Sequence, residues 1–355
     1  MNPIVETTLD ESVDVGAAPP SDPSRRVPLS PNRASDEPAA RGRRHHRSPI
    51  TLRFFVLRLF TAMLAVWGAL TIVFFALNMT GSPVALLVGD NATAEEIARL
   101  TTEFGYDRPL VVRYVIFLRD ALTGQFPESL QYHSNSLDVV LERIPATLLL
   151  SGLGLLLGVT VGLGVGYLAA NGRWAWSRRV PLAIIVCAEA VPPILLGVVL
   201  VLIFSLKLGW LPTGGSGSWK NLILPVTLLS VYAAPSIARV FRASIVSNAH
   251  ADHVRTAEAK GLSRRMVRLR HIAANALIPV INLIGVHVGA ILSGAVVTES
   301  LFSWPGVGRL SVDALLNRDY PLVLASVCVV AVGFVIVNLF VDIFIAVLDP
   351  RARER

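Results

Sequence analysis

Four ionisable or amide side chains stand inside long apolar runs of this chain: Glu189, Asn282, His287 and Asp342. A polar group in hydrocarbon is expensive, so each must face protein or water. Each has two readings, a hydrogen bond satisfied between packed helices or a place on a water-filled path. Glu189, Asn282 and His287 are the candidates for lining such a path. Asn338 and Asp342 are four residues apart on one helix face, which favours helix–helix hydrogen bonding. None of these groups has the neighbours that catalysis needs. The sequence holds no Gly-x-x-x-x-Gly-Lys-Ser/Thr phosphate loop, no HExxH metal motif and no GxSxG nucleophile turn. Cys187 and Cys328 have neither metal-ligand spacing nor a disulfide framework, and read as small buried hydrophobes. The chain is expected to break and form no covalent bond, to hold no metal and to carry no cofactor of its own.

A second constellation lies outside the apolar runs. Residues 248–279 read NAHADHVRTAEAKGLSRRMVRLRHIAANALIP. A helix is predicted from Asp252 to Lys260, ended by Gly261, with Ser263 capping a basic helix from Arg264 onward. Ala257 and Ala259, flanking Glu258, are small enough to lie against another surface. A short helix, a glycine turn and a basic second helix make a knob suited to a groove on a cytoplasmic partner. The plainer reading is a solvated basic loop. A third feature is Trp304 beside Pro305 and Gly306, where an exposed tryptophan on a Pro-Gly turn would be common anchor chemistry for a partner.

The elements that must position these groups follow from composition. Of 355 residues, 53% are hydrophobic and 16% charged; soluble domains carry about 25% charged residues. The apolar residues form uninterrupted stretches of about 20 residues or more, the length that crosses a bilayer. Six spans are predicted: 54–79, 146–170, 182–206, 222–241, 277–297 and 321–348. The second carries Gly152, Gly154, Gly158, Gly162, Gly164 and Gly166, small residues that let membrane helices approach closely. Pro192 and Pro193 should kink or break the third. The glycine-rich 207–221 loop carries Trp210 and Trp219, which suit a membrane interface. Residues 1–50, rich in Pro, Ser, Ala, Asp and Arg, have no apolar run and read as a disordered cytoplasmic tail. A membrane-spanning domain fills 51–350, with an insert at 80–146 between the first two spans. Within that insert Thr93 should cap an amphipathic helix, and a second helix should cover 110–122.

Orientation follows from the basic residues. The segment before the first span, 171–181, 239–271 and the C-terminus together hold roughly twice as many Lys and Arg as the alternate segments. That places both termini and the 242–275 loop in the cytoplasm and the 80–146 insert outside. The formal charge of +7 is thereby a topology signal. It is no sign of a nucleic-acid partner; the cluster from Arg41 to Arg53 reads as part of that topology signal, with binding of anionic lipid heads as the alternative.

Several segments, in order along about 52–351, resemble the permease subunits of ABC importers, specifically the oligopeptide and dipeptide branch. They are FGYDRPLVVRYVIFL at 104–118, LERIPATLLL at 141–150, the loop from Arg255 to Gly261 followed by RHIAANALIP, GAVVTESLFSWPGVGRLSVDALLNRDYP at 294–321, and VNLFVDIFIAVLDPR at 337–351. Arg255, Thr256 and Ala257 stand where the wider superfamily usually has Glu-Ala-Ala. The resemblance implies an all-α integral protein of the cytoplasmic (inner) cell membrane, of the type I importer permease kind. It implies a second homologous permease, two cytoplasmic ATPase subunits that bind the ATP, and an extracytoplasmic peptide-binding protein. In this likeness Arg255, Thr256, Ala257, Glu258, Ala259, Lys260 and Gly261 couple to the ATPases. Trp304, Pro305 and Gly306 belong to the face that meets the binding protein. Rival readings are a non-peptide cargo such as a metal chelate, glutathione or a sugar, or an ion-gradient transporter, for which no internal inverted repeat is visible.

Overall fold

A computed structural model describes residues 52–79, 93–103 and 105–348. The tail assigned to 1–50 and the C-terminal 349–355 lie outside the described residues. The described elements are helical: α1 (Leu52–Met79), α2 (Ala94–Glu103), α3 (Leu110–Thr123), α4 (Ser136–Asn171), α5 (Ala175–Glu189), α6 (Pro193–Leu200), α7 (Lys220–Asn248), α8 (Asp252–Ala259), α9 (Ala274–Leu301), α10 (Val307–Leu316) and α11 (Tyr320–Leu348). A π-helical turn, Val201–Lys207, prolongs α6, and another, Val267–Ala273, joins the short Arg264–Met266 turn to α9. Among the described residues five helices are long and apolar enough to cross a membrane. A sixth crossing is a bent pair, α5 with α6 and its π turn, at 111° to one another. The predicted third span is therefore two helices. Pro192 and Pro193 cause the break: neither can donate the N–H that would continue α5, and Pro193 starts α6, where no donor is needed.

α4 and α7 form the centre of the bundle. Gly154, Gly158, Gly162 and Gly166 recur every four residues, so they line one face of α4, and all four are buried. A methyl group on Gly162 would stand 2.8 Å from the Ala234 carbonyl oxygen, and one on Gly166 the same distance from that of Ala238. The two backbones thus pack with no side chain between them on the α4 side. Gly152 and Gly164 point into open space. The predicted glycine contact holds for four of the six. α7 answers with small residues, Ser230, Ala233, Ala234 and Ala238, all buried. It runs unbroken through Pro225 and Pro235.

The segment between the first two spans folds back onto the bundle. Phe117 of α3 stacks on Phe74 of α1 with ring centroids 5.3 Å apart, and the Tyr114 and Thr71 hydroxyls hydrogen-bond at 2.7 Å. Phe126, Val139, Leu310 and Leu322 complete the same buried cluster. Asp319, 1% exposed, ties the insert to α11. It accepts from the Ser129 hydroxyl at 2.5 Å and the Gln131 amide at 3.1 Å. It also takes the Leu322 amide at the open N-terminus of α11 at 3.2 Å. Cys328 is buried as expected, but Cys187 is exposed; both are free thiols.

Candidate functional site

Three places along the bundle gather the groups singled out in the sequence. The first is the loop after α7. α8 covers Asp252–Ala259, as predicted, and Gly261 ends the turn at φ +75°, a backbone that L side chains adopt only under strain. Ser263 caps the next turn by accepting the Met266 amide at 3.4 Å. The basic segment that follows is not a separate helix but the root of α9, through the π turn. Val254 and Ala257 are buried against a cluster that includes Ile245, Val267 and Ile272. Ala257 thus faces its own chain rather than a partner, which corrects the expectation from size alone. The outward face of the knob is Arg255, Thr256, Glu258, Ala259, Lys260 and Gly261, all exposed. His253 Nε2 lies 3.3 Å from the His271 carbonyl oxygen, which pins α8 to the base of α9.

The second place is mid-bundle. Glu189, at the C-terminal end of α5, accepts from Arg239 of α7 through both oxygens, at 2.7 and 3.2 Å. This two-pronged geometry is the strong form of a guanidinium–carboxylate contact. The Glu189 side chain is 37% exposed and that of Arg239 45%, so within the single chain the pair opens to one side. One turn away on α7, the Ser236 hydroxyl and His287 Nε2 of α9 lie 2.7 Å apart. Glu189 and His287, read separately from sequence, therefore belong to one polar line across α5, α7 and α9. Asn282, on α9, stands about 140° around the helix from His287 and is half-buried. Arg239 and Ser236 escaped the sequence reading. Arg239 falls where the predicted span 222–241 and the basic segment 239–271 overlap, and only the continuation of α7 to Asn248 places it well inside the helix. Asn338 donates to the Phe334 carbonyl of its own helix at 2.8 Å; the Asp342 side chain lies outside the described ones.

The third place is the opposite end of α9. Trp304 is 5% exposed, and its indole N–H donates to the Ala146 carbonyl at 3.0 Å. The exposed anchor expected there is instead an internal strut, because the turn folds inward onto α4. Gly306 is buried and Pro305 half-buried. The reason for the inward fold is Glu299, wholly buried. Its carboxylate accepts from Thr147 Oγ1 at 2.6 Å, from the Arg309 amide at 3.1 Å and from the Gly308 amide. Thr147 Oγ1 in turn accepts the Val307 amide at 2.9 Å. These three amides are the orphan donors of the first turn of α10, so a carboxylate and a hydroxyl from two other helices cap it. A methyl on Gly306 would overlap the Glu299 carboxylate, so a side chain there would push the carboxylate off its donors. The segments around 147 and 299–309, quoted separately above, are two halves of one contact.

Comparison with known proteins bears on what these places do. Residues 162–354 match the family described as binding-protein-dependent transport system inner membrane component. Residues 51–151 match the N-terminal region of such membrane components. The glutathione transport system permease protein GsiC of Escherichia coli is 35% identical over 305 residues, which span 86% of this chain and 100% of that protein. The protein of the same description from Salmonella typhi is 36% identical over 287 residues, 81% of this chain and 94% of the relative. Among solved structures, an inward-facing MetNI methionine ABC transporter is similar at 18% identity and a TM-score of 0.48, covering 61% of this chain and 97% of the other.

Proposed function

The chain belongs to the binding-protein-dependent transport family of inner membrane components, and on that premise we propose that it forms half of the membrane path of an importer for small peptides. It is a multi-pass transport subunit of an ABC importer. A second permease closes the path, two cytoplasmic ATPases supply the energy, and an extracytoplasmic binding protein delivers the cargo. With the basic segments inside, the outward face of α8, from Arg255 to Gly261, docks into the ATPases. Their closure is passed through Val254 and Ala257 to the root of α9, the helix that carries His287. The 80–146 insert and the turn at Trp304, Pro305 and Gly306 lie on the side that meets the binding protein. There Trp304 holds the shape, and Ser303, exposed beside it, offers the contact.

The observation that carries the peptide reading is the Glu189–Arg239 pair with His287 and Ser236 beside it. An ion pair open to lipid would be costly, so its open side favours the path. A zwitterionic peptide brings an ammonium for Glu189 and a carboxylate for Arg239. The names of the relatives favour a second reading, glutathione, which also carries an ammonium and carboxylates. The whole importer, reconstituted in vesicles with ATP inside and its binding protein outside, should accumulate labelled di- and oligopeptides. Saturable uptake of glutathione with none of peptide would transfer the function to the second reading. Uptake of neither would remove both.

A further inference from the structure

Three arginines line one cavity at the basic end of the bundle. Arg178 and Arg179 of α5 and Arg242 of α7 border a space of about 560 Å³, with Leu182, Val186 and Val246 forming apolar walls. None of the three guanidinium groups has an ion-pair or hydrogen-bond partner among the described residues, and no acidic residue borders the cavity. Like charges facing one space repel, and an anion seated between them relieves that repulsion. Just before the arginines, Trp174 and Trp176 are 67% and 65% exposed. Tryptophans so placed mark the headgroup level of a bilayer. Exposed tryptophans close by in sequence, arginines at the cavity's border and apolar walls are the features that a headgroup site at the membrane surface needs.

We infer that this cavity is a binding site for the headgroup of an anionic phospholipid. The chemistry is that of a phosphodiester: guanidinium forks match phosphate oxygens in pairs, and basic pockets between membrane helices hold such headgroups. Two of the helices concerned, α5 and α7, also carry the Glu189–Arg239 pair. A bound lipid would brace them from the basic end. The site does not depend on the identity of the cargo.

The test uses the whole importer. Complexes are placed in bilayers of phosphatidylcholine containing a minor share of phosphatidylglycerol, re-extracted in mild detergent, and the retained lipid is measured by mass spectrometry. The unaltered complex should hold phosphatidylglycerol far above its share in the bilayer. Each arginine near an anionic lipid surface is worth about fivefold in affinity, so Arg178→Ala, Arg179→Ala and Arg242→Ala together should lower retention on the order of a hundredfold. The triple change to lysine keeps the charge and should keep most of the lipid, which separates lost binding from lost folding. Equal retention by unaltered and alanine complexes would overturn the proposal. So would full displacement by excess inorganic phosphate, which would make the ligand a free anion. Retention that appears only after the ATPase subunits are stripped away would also overturn it, because the cavity would then be a protein contact.

Discussion

Thr147 and Glu299 are 152 residues apart and meet in a 2.6 Å hydrogen bond at the N-terminus of α10. The bond is one link of a chain in which the Val307 amide donates to Thr147, Thr147 to Glu299, and the Arg309 amide also to Glu299. A buried carboxylate is tolerated because backbone donors and a hydroxyl surround it. Removing it leaves those amides without acceptors. Glu299→Ala should therefore destabilise the folded chain by on the order of 3 kcal/mol, and Thr147→Val by less, since one carboxylate oxygen keeps its backbone donors. Glu299→Gln, which preserves an acceptor, should fall between unaltered and alanine. Thermal unfolding of the purified complex followed by tryptophan fluorescence checks the order. Equal midpoints for all four would mean that this chain of bonds does not hold α10.

The α4–α7 contact makes an equally local prediction. Gly162→Leu forces a side chain where a methyl group alone would already meet the Ala234 carbonyl oxygen at 2.8 Å. Close approach of backbones is what such small residues provide in membranes. The variant should insert but fail to accumulate as assembled complex. Gly164→Leu, two residues on, points into open space and should accumulate normally in the isolated chain. Size-exclusion profiles at matched expression distinguish them, and equal profiles would contradict the packing described.

The contrast between these two glycines shows what sequence could and could not reveal. Period and composition make the spans and the glycine-rich helix legible, because a bilayer demands about 20 apolar residues per crossing. Proline chemistry makes the break at Pro192 and Pro193 legible as well. The 111° bend was not, since a missing donor breaks a helix without saying how far its halves turn. Gly261 and Ser263 were readable as a stop and a cap because those roles are local. The Glu299–Thr147 and Glu189–Arg239 contacts join distant segments, and nothing in either segment names the other. Trp304 shows the same limit: its ring chemistry is visible in sequence, but the Ala146 carbonyl that draws it inward is not.

Tyr106 supplies a pH dependence. Burial pushes its phenol from an ordinary 10.0 up to about 12, against the pull of the Arg113 charge, whose guanidinium lies 4.4 Å from the ring centre. The neutral phenol is the form the fold prefers. Its contribution is therefore full below 10.0 and is lost as pH rises through about 12. At neutral pH nothing should change. Above pH 10 the insert should loosen, read as faster proteolysis between 80 and 135, and Tyr106→Phe should resist that loosening. Identical alkaline proteolysis of the two proteins would exclude Tyr106 as the cause.

The Glu189–Arg239 pair separates a structural role from a transport role. Arg239→Ala leaves Glu189 without its partner on the half-exposed side of α5, where within a membrane an unpaired carboxylate is less well tolerated than a neutral pair of side chains. The single variant should lose complex yield and at least tenfold of uptake. Adding Glu189→Ala should restore yield, because no unpaired charge remains. If the two groups receive the peptide's charged ends, uptake stays low in the double variant despite normal assembly. Recovery of uptake along with yield would assign the pair to packing alone.

The knob after α7 yields the prediction that bears most directly on mechanism. Its two alanines point opposite ways: Ala257 is buried on its own chain and Ala259 is exposed. Ala257→Trp should overpack the cluster with Val267 and Ile272, at about 1–3 kcal/mol, and lower the folded yield. Ala259→Trp touches nothing within the chain, so the isolated subunit should fold normally. In the assembled importer the same indole would hold α8 away from the ATPase groove. The ATPases should then dissociate or hydrolyse ATP without moving peptide. Gly261→Val adds a backbone penalty of about 1 kcal/mol at a position with no neighbour within 4 Å, so it should act on the shape of the turn and uncouple in the same way. Subunit retention, ATP hydrolysis and peptide uptake, measured on one preparation of each variant, tell the cases apart. Normal peptide-stimulated hydrolysis and normal uptake with Ala259→Trp would mean that the ATPases do not grip this chain through the outward face of α8.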